Sequence, residues 1–145
     1  MEYAARATVA EAMVTAPKVC AADSTVSALR NLFADDHVHA ALIVDDGVLV
    51  AVVERGDLHA SLGAHEPAAR AGGLEGRVVA PDAPLQPIHR LMLATHRRRL
   101  AAVADDGTLL GLLCLKRRGD GFCTDADVQA RASERVTAAA GTCSA

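Results

Sequence analysis

Two apolar runs split by an acidic turn recur in the chain: HAALIVDDGVLVAVV at 39–53 and RLAAVADDGTLLGLLCL at 99–115. Asp-Asp-Gly between apolar runs is a strong hairpin signal, because Asp and Gly tolerate the left-handed backbone of a tight turn. Each hairpin follows a helix-periodic stretch. In VCAADSTVSALRNLF (19–33) Val26, Leu29, Leu32 and Phe33 fall at i, i+3, i+6 and i+7, and in VVAPDAPLQPIHRLM (78–92) Leu85, Ile88, Leu91 and Met92 do the same. That spacing gathers four apolar side chains on one helix face. The two stretches lie 59 residues apart, so the chain is an internal duplication, each copy predicted as strand, helix, strand, strand, helix.

Local signals set the element ends. Asp23 or Ser24 is expected to cap the first helix, and Pro84 and Pro87 sit where the second begins. RGDLHASLG predicts a short helix after the first hairpin, ended by Gly63. RRGDGFC interrupts the matching place in the second copy, and helix is expected to resume at Thr124, whose spacing to Asp127 resembles a capping box. These signals divide the chain into a first repeat (8–63), a linker AHEPAARAGGLEG (64–76), a second repeat (77–128) and a helix end with a frayed tail (129–145). Neither copy has much core of its own. The expected architecture is therefore α/β: two pseudosymmetric β-α-β-β-α repeats packed through their sheets.

Composition narrows the function. The chain has 145 residues and a formal charge of -3, which argues against a general nucleic-acid binder. Aromatic residues are limited to Tyr3, Phe33 and Phe122, too few for base-stacking platforms. No apolar run approaches the ~20 residues of a membrane span, and the start MEYAARATVAEAMV is no signal peptide, so a soluble, cytoplasmic protein is expected. Cys20, Cys114, Cys123 and Cys143 form no CxxC pair, and free thiols are the expectation. No Ser-His-Asp spacing, phosphate-cradling Gly loop or carboxylate pair stands out, so the chain is not read as an enzyme and no catalytic residue is assigned.

The order of these segments resembles the tandem cystathionine-β-synthase (CBS) domain module, over roughly residues 8 to 128. The resemblance rests on TVAEAMVTAPKV, the helix after DSTV, the LIVDDG turn and the close LVAVVERGDL. That close reads, in the family, Gly, apolar, any residue, Thr or Ser, two residues, then Asp. Here Ala51 replaces Gly and Glu54 replaces Thr, while Asp57 matches; in the second copy Gly111 matches, but Cys114 and Arg117 stand at the Thr and Asp positions. The resemblance implies a stand-alone regulatory module that takes an adenosine ligand (AMP, ADP, ATP or S-adenosylmethionine) in a cleft between repeats, and that pairs into a disc-like homodimer. It implies that the Asp holds ribose hydroxyls, the Thr or Ser meets phosphate or ribose, strand starts wall the adenine, and a basic residue opening a middle strand contacts phosphate.

Carried onto this sequence, the ligand cleft is expected to comprise Asp57, Glu54, Arg55, Val53, Val79, Ala80, Pro81, Arg98 and Arg99. A second cleft, expected to be degenerate, comprises Thr15, Ala16, Pro17, Val19, His39, Cys114, Lys116 and Arg117. The chemistry agrees in part. An ionised Asp57 can accept two vicinal hydroxyls, or simply cap a helix near Leu58. Glu54 repels phosphate. The runs Arg97–Arg99 and Lys116–Arg118 can together meet a polyphosphate, Arg matching it bidentately, or remain solvated. Arg117 in place of Asp implies about one ligand per chain. His37 and His39 form an HxH pair without an evident third ligand, so no metal or cofactor is expected. Cys114 and Cys123 flank the KRRGDGF loop and are candidates to meet in space, although a buried inert thiol is the plainer reading. The function expected is a nucleotide sensor that signals to a separate protein partner, with neither nucleic acid nor membrane as partner. The alternative is a ligand-free dimer serving as an interaction scaffold.

Overall fold

The computed structural model describes residues 7–36 and 38–125. The chain forms two compact units: a first spanning 18–75, and a second assembled from 7–17 and 76–125. The expected helix from Thr124 onward, its Thr124–Asp127 capping box, the tail and His37 lie outside the described residues, apart from Thr124 and Asp125 themselves.

In the first unit, β1 (Val19–Ala21) leads through α2 (Val26–Leu32) to β2 (Ala40–Asp45) and β3 (Val48–Glu54). The sheet order is β1-β2-β3, with β1 parallel to β2 and β2 antiparallel to β3. The second unit repeats this with β4 (Val78–Val79), α3 (Leu85–Ala94), β5 (Arg99–Val103) and β6 (Leu109–Cys114), in the order β4-β5-β6. Both hairpins shift register at matching places, between Ile43 and Val44 and between Ala102 and Val103. The first turn places Asp46 (φ 50) and Gly47 (φ 82) in the left-handed region that the sequence anticipated.

The helix faces are buried as the periodicity required, with one exception. Val26 and Leu29 of α2 pack inward with Phe33 at its C-terminal cap, as do Leu85 and Met92 in α3, but Leu91 is 53% exposed. The cap of α2 is Thr25, whose hydroxyl accepts the Ala28 N–H at 3.1 Å, rather than Asp23 or Ser24. Ser24 is instead fully buried, its carbonyl accepting the Ala68 N–H at 2.8 Å. The helix expected over RGDLHASLG contracts to a 3-10 turn, Arg55–Asp57, because Leu58 leaves helical backbone at ψ 75.

Each unit is completed by a segment from outside its β-α-β-β core. Within residues 64–76, read from composition as a connector, 64–75 carry a 3-10 turn (Ala68–Arg70) and dock on the first unit. Pro67 bridges Thr25, and Gly73 bridges Val52. In the second unit the same places are taken by the N-terminal segment with α1 (Val9–Ala12): Thr8 bridges Pro84 and Val14 bridges Leu112. Val9 and Ala68 fill the corresponding core positions, both fully buried. The duplication therefore begins near Thr8 and Pro67, 59 residues apart, and each copy's opening segment covers a hairpin of the unit it precedes or follows. No helix among the described residues is long and apolar enough to cross a membrane.

Candidate functional site

In the first unit, the chain leaving β3 places Val53, Glu54, Arg55 and Asp57 in succession. Val53 is fully buried in the core, while Glu54 and Asp57 are half-exposed. Glu54 and Asp57 form a reciprocal capping box: the Asp57 Oδ2 accepts the Glu54 N–H at 2.8 Å, and the Glu54 side chain accepts a backbone N–H in return. The two functions weighed for Asp57 thus start from one geometry. Capping holds the carboxylate in place through its Oδ2.

Arg55 is committed to the protein. Its guanidinium donates to the carbonyls of Phe33, Asp35 and Val38, and lies over the Phe33 ring at 5.3 Å to the centroid. It closes the C-terminal end of α2, where carbonyls lack helical partners. This is a missed structural role, legible only once α2 and β3 are placed side by side. Arg30 does related work, donating from α2 to the carbonyls of His59 and Leu62, both at 3.0 Å. Val19 opens β1 and His39 precedes β2, one residue before the register pair Ala40 and Glu54.

In the second unit the two basic runs come together. Arg99 opens β5 opposite Cys114, the last residue of β6, and the Leu115 N–H donates to the Arg98 carbonyl at 2.7 Å. The Arg98 Nε donates back to the Leu115 carbonyl at 3.3 Å. Lys116, Arg117 and Arg118 follow at once and are exposed. Val79, in β4, is buried beside Ala102; Ala80 and Pro81 form the turn whose carbonyls accept the Ala83 and Ala10 N–H groups at 3.2 and 2.9 Å.

Beyond Cys114 the two units part. The chain makes a short hairpin, 115–122, closed by the Leu115–Phe122 bridge, and returns so that the Cys123 N–H donates to the Cys114 carbonyl at 2.7 Å. Phe122 is buried and meets the His89 ring edge-on at 5.3 Å, while His89 Nε2 contacts the Gly119 carbonyl at 2.6 Å. Arg117 therefore sits in the turn of an excursion and is no topological counterpart of Asp57. After the return, Asp125 takes hold of Thr15: Oδ1 accepts its N–H at 2.8 Å and Oδ2 its hydroxyl at 3.0 Å. Thr15 and Ala16 are exposed and Pro17 half-buried. Asp125 escaped the sequence reading because its partner lies 110 residues away.

The residues assigned to each cleft divide between the units. Asp57, Glu54, Arg55, Val53, Val19 and His39 belong to the first; Val79, Ala80, Pro81, Arg98, Arg99, Thr15, Ala16, Pro17, Cys114, Lys116 and Arg117 to the second. Among the described residues, no three His, Cys, Asp or Glu side chains are grouped to hold a metal. Cys20 is disulfide-bonded, contrary to the expectation of free thiols, whereas Cys114 and Cys123 are buried and form no disulfide.

A duplicated three-stranded β-α-β-β unit, each copy closed by a segment from outside its core, defines a paired-repeat module. The family model of the CBS domain matches residues 9–63 of the chain, and the similar solved structures include CBS-pair proteins. A protein described as an acetoin utilization protein (AcuB) from Vibrio cholerae shares the fold with a TM-score of 0.64 at 20% identity, over 93% of this chain and 98% of its own. The structure of CBSX2 in complex with AMP gives 0.64 at 25% identity, over 88% and 98% of the two chains; CBSX2 is an Arabidopsis thaliana protein. The cytosolic domain of the Mg2+ channel MgtE in complex with ATP gives 0.53 at 20% identity, over 66% of this chain and 41% of that one. No curated protein sequence matches the chain.

Proposed function

We propose that this chain is a regulatory module that binds an adenosine ligand, about one per chain, and passes its occupancy to a protein partner. The observation that carries the reading is the held carboxylate of Asp57, oriented by the Glu54 N–H at 2.8 Å immediately after β3. A carboxylate fixed before ligand arrives loses little freedom on accepting two hydroxyls, which favours binding. The fold neighbours support the ligand class, since CBSX2 is seen with AMP and the MgtE domain with ATP. Arg98, Arg99 and Lys116, neighbours of one another in the second unit, carry charge of the sign that phosphate attracts. Arg55 is assigned a structural role instead, because its donors already serve three carbonyls. The effect on the partner is a population shift: ligand favours one arrangement of the module over another.

A homodimer belongs to this proposal, with α3 as a contacting element because Leu91 and Leu93 are 53% and 48% exposed. The scaffold reading takes the same exposed leucines as its main support and dispenses with the ligand. Calorimetric titration of AMP, ADP, ATP and S-adenosylmethionine into the full chain separates them. The sensor reading expects saturable heat near one per chain for at least one ligand, weakened about tenfold or more in Asp57→Asn, which loses a charge-assisted bond. Silence with all four ligands, without thermal stabilisation, refutes it in favour of the scaffold.

A further inference from the structure

We propose that Cys114 and Cys123 are a redox modification site, joining in a reversible disulfide that staples the base of the basic excursion. Their sulfurs lie 3.1 Å apart, on strands already paired by the Cys123 N–H to Cys114 carbonyl bond. Neither forms a disulfide in this structure. Leu113, Leu115 and Phe122 point into the core of the second unit, and alternation along a strand sends Cys114 and Cys123 to the opposite face together. The backbone pairing that aligns the two residues is already in place, held by the Cys123 N–H to Cys114 carbonyl bond. The only segment enclosed is 115–122, which carries the exposed Lys116, Arg117 and Arg118. Both cysteines retain slight exposure, 5% and 6%, so a small oxidant such as a peroxide suits the site better than a bulky disulfide carrier.

The chemistry balances with hydrogen peroxide as oxidant. One thiolate sulfur attacks a peroxide oxygen; the O–O bond breaks, and after proton uptake a sulfenic acid and one water result. The second thiol attacks the sulfenic sulfur, forming the S–S bond and expelling the hydroxyl as a second water. Two sulfurs together lose two electrons, and the peroxide gains them. A dithiol such as dithiothreitol reverses the step by exchange. The consequence is mechanical: in the reduced protein the excursion is held by hydrogen bonds and the packing of Phe122, and in the oxidised protein also by a covalent tie at its base. The basic residues it displays are then fixed to the end of β6.

The test needs no knowledge of the ligand. The reduced full chain is treated with stoichiometric hydrogen peroxide, alkylated and digested with trypsin. The expected product is peptide 100–116 joined to peptide 119–131, lost on reduction and absent from Cys123→Ser. The same treatment in urea is expected to yield about tenfold less of this product, because native pairing supplies the proximity. Alkylated Cys114 and Cys123 after oxidation of the folded chain would overturn the proposal. So would an equal yield of the linked peptide with and without urea. The readout on wild-type protein stands even where the variant does not fold, and it is independent of nucleotide binding.

Discussion

Gly111→Ala tests a close approach of chain to chain in the second unit. A methyl group there would lie 2.5 Å from the Val14 carbonyl oxygen, 2.6 Å from the Met13 sulfur and 2.9 Å from the Met13 Cγ. The Met13 side chain can swing away. The Val14 carbonyl cannot, because it accepts the Leu112 N–H at 2.9 Å while the Val14 N–H donates to the Leu112 carbonyl at 2.8 Å. Overpacking of this kind costs about 1–3 kcal/mol, and each weakened backbone bond about 0.5–1.5 kcal/mol. Stiffening of the unfolded chain by alanine returns about 0.4–1 kcal/mol. The expected net loss is about 2 kcal/mol, a sizeable fraction of the ~5–15 kcal/mol that holds a domain together. Urea unfolding followed by far-ultraviolet circular dichroism measures it. Gly72→Ala, whose methyl would meet the Val52 carbonyl oxygen at 2.3 Å, is expected to lose a similar amount, and Gly56→Ala, with no atom within 4 Å, close to none. Equal midpoints for Gly111→Ala and Gly56→Ala would refute the argument, since the docked N-terminal segment would then not be held as described.

Arg55→Gln is expected to lose about 1–3 kcal/mol, the scale of hydrogen bonds from a charged donor, with Arg55→Lys recovering little because an ammonium cannot fork across three carbonyls. Thermal melts measure the loss, and full recovery by lysine would show that charge alone matters. The Asp106 carboxyl is held below its ordinary value first by the Thr108 N–H, which its Oδ1 accepts at 3.0 Å, and then by the Thr108 hydroxyl. A lowered folded value means the unfolded chain binds the proton more readily. The turn's contribution is thus fully present above the unfolded value and is lost as pH falls through the folded one. Carbon-13 titration of the Asp106 carboxyl should show a midpoint below that of an unstructured aspartate; a midpoint at or above it would sink the assignment.

The hairpins and helices were legible because their signals are local. Asp46-Gly47 fixes a turn whatever surrounds it, and the spacing of Val26, Leu29 and Phe33 declares the buried face of α2. The assignment of Ser24 as a cap failed for a tertiary reason: its carbonyl accepts the Ala68 N–H, and Thr25 takes the capping role one residue later. The 64–76 segment read as a connector because small residues dominate it. Small residues are what close docking requires, as Gly72 against the Val52 carbonyl shows. The departure at Ala51 has the same origin. In the first unit the docked segment itself supplies the room, through Gly72; in the second, Met13 occupies that segment and the strand supplies the room, through Gly111. A motif glycine is thus dispensable where its partner chain carries one.

The reversed charge at Arg117 has a related explanation. Counting along the two copies pairs Ala40 with Arg99 and Glu54 with Cys114, and the strand registers agree with both pairings. Beyond Cys114 the count no longer tracks the fold, because 115–122 leaves the sheet and returns beside it. Asp57 is the third residue after β3 ends and caps the turn that follows; Arg117 is the third after β6 ends and occupies an exposed turn of the excursion. Selection on these two positions answers different constraints. The residue that resumes the path is Thr124, one past the cysteine whose N–H returns to Cys114, and the next acid, Asp125, ties the chain to the N-terminal segment through Thr15. The charge was therefore not reversed at one site of a duplicated unit. An inserted hairpin brought its own basic tip, and the acid that next engages the fold stands eight residues further along.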